Sequence, residues 1–156
     1  MNKNLIILLF VLLFSCTSKK GTEEGSTTSE VENLGADGVI NEGQRVFFKN
    51  LEDGDEVISP VRVEMGVEGM EVEPAGELAK NKGHHHILIN HDPSEKGAVV
   101  VADSTHLHFG KGQTETELNL HPGEYKLTLQ FADGFHRSYG KQLSSEVLIV
   151  VIASDN

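Results

Sequence analysis

The chain has 156 residues, a formal net charge of −11 and a single cysteine, Cys16. An acidic balance of this size disfavours nucleic acid and anionic lipid surfaces as partners, and a lone cysteine excludes an internal disulfide. The length leaves room for one compact domain.

Asn2, Lys3 and Asn4 form a short polar start, followed by an unbroken apolar run from Leu5 to Phe14. Ten residues make about 15 Å of helix, half of what a bilayer core of roughly 30 Å requires. The run therefore predicts the hydrophobic part of a signal peptide over residues 1–15, not a membrane span. Leu13-Phe14-Ser15-Cys16 resembles a bacterial lipobox, which implies cleavage before Cys16 and acylation of its sulfur. The expected location is the bacterial cell envelope, outside the cytoplasm, with a lipid anchor in the membrane. Cleavage would remove Lys3 and leave the mature chain one unit more negative. Residues 16–41 hold Ser, Thr, Gly, Lys and Glu with no apolar period. They predict a flexible leash with a reach of about 25 to 30 Å.

Residues 42–156 predict an all-β domain, an immunoglobulin-like antiparallel β-sandwich of about seven strands. Arg45–Phe48 opens it, and Glu52–Asp55 reads as a turn. Val61, Val63, Met65 and Val67 then alternate on one side of a strand, the period of a half-buried segment. Further strands are expected over His84–Asn90, Ala98–Val101, Thr114–Leu120, Glu124–Phe131 and Glu146–Ile152. The run from Leu118 to Tyr125 resembles the corner before a late strand of such folds, where a tyrosine hydroxyl bonds back to the backbone.

Five of the eight histidines lie in a patterned set. Side chains alternate along a strand, so His84 and His86 share one face with Leu88, and His85 joins Ile87 and Ile89 on the other. His106 and His108 repeat the device, and His136 follows the strand that ends near Phe131. Two His-x-His pairs on neighbouring strands can supply three or four nitrogens to a transition metal, copper or zinc. His84, His86, His106, His108 and His136 are the expected ligands, with Gln113 or Glu115 orienting the rings from behind. The same rings can instead serve as hydrogen-bonding struts, or share no role. Met65 and Met70 are the remaining sulfur donors, and core packing accounts for both.

The ordered set Asp53-Gly54, Ser59-Pro60-Val61, Gly66-Val67-Glu68-Gly69-Met70, Pro74-Ala75-Gly76, Gly83-His84-His85-His86-Ile87-Leu88-Ile89, His106 to Glu115, Pro122-Gly123 and Asp133-Gly134-Phe135-His136 resembles the family called domain of unknown function 4399. The resemblance runs from about Gln44 to Ile152 and implies a small bacterial extracytoplasmic domain; it implies no mechanism. The family pattern often places histidine where this chain has Tyr125, and again beyond His136 where it has Ser138 and Tyr139.

No catalytic residue is named by the sequence. His-Glu-x-x-His and Gly-x-Ser-x-Gly are absent, and Asp103-Ser104-Thr105-His106 holds triad residue types only as chain neighbours. Gly110-Lys111-Gly112-Gln113-Thr114 lacks the lysine followed by Ser or Thr of a phosphate loop and reads as a turn. An open three-histidine site can activate water, so hydrolytic chemistry stays open. Two functions stand: a lipid-anchored protein that binds copper or zinc, and an immunoglobulin-like module that binds an envelope protein or glycan with structural histidines.

Overall fold

The structure is a computed structural model, and it describes residues 35–154. The signal peptide, Cys16 and residues 17–34 of the expected leash lie outside the described residues. Among the described residues nine strands follow in chain order: β1 (Arg45–Phe48), β2 (Asp55–Ile58), β3 (Val61–Glu68), β4 (Glu71–Val72), β5 (Lys82–Ile89), β6 (His106–His108), β7 (Glu115–Leu118), β8 (Gly123–Ala132) and β9 (Ser144–Ile152). Among the described residues no helix is long and apolar enough to cross a membrane.

The all-β class is as expected. The strands form a three-stranded sheet, β1-β3-β7, and a six-stranded sheet, β2-β9-β8-β5-β4 with β6 on β5. Alternation drives their packing. Val61, Val63 and Met65 of β3 point inward with Val46 and Phe48 of β1. They meet Ile87, Leu127, Leu129, Phe131, Val147 and Ile149 of the larger sheet in one core. Removing a side chain as large as Phe131 from such a core would cost about 3–5 kcal/mol. The expected corner contact is present: the Tyr125 hydroxyl donates to the His121 carbonyl at 3.1 Å.

Three expectations are corrected. The larger sheet is mixed rather than antiparallel, because β2 runs parallel to β9 and β4 parallel to β5. β2 begins inside the expected turn, and its Asp55-Glu56-Val57-Ile58 pattern buries no residue fully, so it lacks the apolar alternation that marks a strand. Ala98–Val101 is not a strand. It makes one isolated bridge, Val99 to Arg137, and buries Val100 against Leu88 and Ala132.

That segment belongs to the long β5–β6 connection, which crosses the outer face of the larger sheet. Val100 N–H donates to the His136 carbonyl, and Ser138 N–H to the Ala98 carbonyl. Thr128, on the sheet face beneath, donates its hydroxyl to the His91 carbonyl. Residues 35–38, expected in the leash, lie against the domain: Gly35, Ala36 and Gly38 are buried, and Ala36 N–H donates to the Asp133 carboxylate.

Candidate metal centre

β5 carries the centre. Its neighbour β8 pairs His84 with Ala132 and His86 with Gln130, and on its other side β6 sets His108 directly opposite His86. Residues opposite one another in an antiparallel pair share a face, so His84, His86 and His108 lie together on the outer face of the larger sheet. His85 points the other way, as expected, into the core edge-on to Phe131.

His136 arrives from the turn after β8. Its φ of 65° is left-handed, a conformation that costs a non-glycine residue of order 1 kcal/mol or more. The turn is held by Asp133, fully buried. The Asp133 carboxylate accepts from the N–H of Phe135 and Arg137 and from Arg137 Nε, while its carbonyl accepts the His136 N–H.

The four rings converge. Nε2 of His84 and Nε2 of His86 are 3.1 Å apart, and Nε2 of His108 and Nε2 of His136 are 3.2 Å apart. The ring centroid of His84 is 4.9, 5.0 and 5.1 Å from those of His86, His108 and His136. The remaining separations are 5.1 Å for His86–His108, 4.7 Å for His108–His136 and 6.1 Å for His86–His136. Four imidazole nitrogens at roughly 2.0–2.1 Å from one ion, at tetrahedral angles, would be about 3.3 Å apart, with centroids about 5.2 Å apart. The observed set approximates that figure, with the His86–His136 edge the widest. His84, His86 and His108 each offer a nitrogen, all within 4.8 Å of one another, and this group can hold a metal ion.

Two rings form a floor and two a rim. His84 and His86 are fully buried, His136 is half-buried and His108 exposed. Burial, reinforced by the neighbouring imidazoles, lowers the His84 pKa from 6.5 to about 4 and that of His86 to about 2. His108 is lowered by burial and by His136. His84 and His86 are therefore neutral near pH 7, the form that binds metals. Among the described residues their Nδ1 atoms have no hydrogen-bonding partner, so neither ring is satisfied there as an ordinary buried strut. This donor set suits copper or zinc: four imidazoles, no thiolate. Neither methionine joins it. Met65 is packed in the core, and the Met70 sulfur accepts from Gln44 Nε2.

Not every expected site residue is in the group. His106 shares the face with His108 but stands opposite Leu88. Its Nδ1 lies 3.0 and 3.1 Å from the two oxygens of Asp103, and its ring lies 4.4 Å from that of His91. The Asp103 carboxyl is held well below the usual range, first by the Thr105 N–H and then by His106. Gln113 accepts the Lys111 N–H within its own turn, and Glu115 pairs with Arg62 on the smaller sheet. Among the described residues neither bonds an imidazole.

Sequence reasoning missed Asp133 and Gly110. The Asp-Gly pair ahead of His136 signals a turn but not which groups fill it. Gly110, two residues after His108, is legible only once the ring is seen against it.

An all-β fold with a histidine group on an outer sheet face defines the class. The family described as Domain of unknown function (DUF4399) matches residues 63–152, more than half of the chain, and the protein belongs to it. No curated protein and no solved structure matches the chain.

Proposed function

We propose that this protein is a lipid-anchored, extracytoplasmic metal-binding protein that holds copper or zinc through His84, His86, His108 and His136. One observation carries the metal reading: four imidazoles from two strands and a distant turn meet with Nε2 contacts of 3.1 and 3.2 Å. Burying two imidazoles side by side is costly, and a cation bound by their Nε2 lone pairs would offset part of that cost. The anchor and the envelope location rest on the Leu13–Cys16 pattern.

The rival reading has its own support, because 3.1 Å is also the length of an N–H···N hydrogen bond between neutral rings. In that case the histidines are struts of an interaction module for an envelope protein or glycan. Calorimetric titration of Cu(II) and Zn(II) into the purified protein separates the two. Saturable binding at micromolar or tighter affinity, weakened at least tenfold in both His84→Ala and His108→Ala, supports the metal. Absence of saturable binding near pH 7.5 leaves the struts.

A further inference from the structure

We infer that His91 and His106 form a second, more exposed binding site for a divalent transition-metal cation, next to the four-histidine group. The two rings come from opposite ends of the β5–β6 connection and sit with centroids 4.4 Å apart, tilted by 32°. Two imidazoles in adjacent positions at about 90° around one ion would have centroids about 4.5 Å apart.

Asp103 sets the proton on both rings. The Thr105 hydroxyl donates to Asp103 Oδ1 at 2.9 Å, so its oxygen is left to accept, and His91 Nε2 lies 3.2 Å from it. His91 therefore carries its proton on Nε2 and keeps a bare lone pair on Nδ1. His106 Nδ1 donates to Asp103 at 3.0 Å, which leaves His106 Nε2 bare. A carboxylate behind a histidine in this way fixes its tautomer and raises its basicity as a ligand. Each ring thus offers one free nitrogen, and neither is spent on a backbone carbonyl. With only two protein ligands the remaining positions belong to water, so this site binds more weakly than the four-histidine group. Residues two apart on a strand are about 7 Å apart, which places His106 one step along β6 from His108.

The site stands on its own residues and does not require the first. The test is Cu(II) titration of the full protein, followed by calorimetry and electron paramagnetic resonance, in the native chain and in His91→Ala, His106→Ala, Asp103→Asn, His84→Ala and His108→Ala. The native protein is expected to take two equivalents. His91→Ala and His106→Ala should each abolish the weaker one and leave the tighter unchanged, and Asp103→Asn should weaken it 10- to 100-fold. His91 is exposed, so its replacement does not threaten folding, and circular dichroism checks each variant. A native protein with no second equivalent, or a second equivalent unaltered in both His91→Ala and His106→Ala, overturns the inference. Failure of the four-histidine group shows separately, as binding unaffected by His84→Ala and His108→Ala.

Discussion

A β-carbon added at Gly110 would lie 2.1 Å from Nε2 and 2.2 Å from Cε1 of His108. The glycine leaves the space that the imidazole occupies, and no other residue fits without moving the ring. Gly110→Ala is therefore expected to weaken metal binding about tenfold or more with little loss of stability, since the ring sits at the exposed rim; parallel titration and thermal melts check this. His85 presents the opposite case. It is fully buried, and among the described residues neither ring nitrogen has a partner, so its polarity is an uncompensated cost of the core. His85→Leu should stabilise the protein by about 1 kcal/mol in urea unfolding and leave metal affinity unchanged. A fall in affinity would mean that His85 serves the centre through β5.

The turn from Asp133 to Arg137 is the element that turns three imidazoles into four. Asp133 is buried and paired with Arg137, and it accepts from three backbone N–H groups of the turn and the docked segment. Asp133→Ala leaves Arg137 short of a partner and those N–H groups unmet. The expected cost is about 3 kcal/mol, together with weaker metal binding because His136 is no longer held; denaturant unfolding and titration measure the two losses.

Strand periodicity made the face of each histidine legible, because period two is a local property: His84 and His86 stand together and His85 apart. Register is not local. Nothing in His106-Leu107-His108 tells which of its histidines falls opposite His86, and the structure gives that place to His108 and leaves His106 beside Asp103. The parallel edge strand β2 was illegible for a similar reason, since its pairing with β9 joins residues nearly a hundred positions apart. The apolar run at Ala98–Val101 was legible as burial but not as a loop, because one buried valine can serve either.

Across the whole molecule the buried imidazoles couple stability to pH. His84 and His85 have pKa values lowered to about 4 and His86 to about 2, each chiefly by burial, from an ordinary 6.5. Between those values the unfolded chain takes up protons that the folded one refuses. Stability is full above pH 6.5 and falls as pH drops toward 4, with His86 extending the loss further. Metal binding should move the same way, since protons compete for the ligand nitrogens. Melting curves from pH 7.5 to 4.5 should show a progressive fall in Tm. A saturating metal at about a hundredfold excess over its Kd should raise Tm by about 10 °C at pH 7.5, and by less at pH 5.5. A flat profile would mean that these rings do not titrate with unfolding.

X-ray absorption on protein loaded with one equivalent of zinc counts directly the ligands around an ion proposed to sit among His84, His86, His108 and His136. The expected spectrum has four imidazole nitrogens at roughly 2.0–2.1 Å, reduced to three plus an oxygen in His136→Ala. A shell of mostly oxygen, or an imidazole count unmoved by that substitution, would contradict that placement.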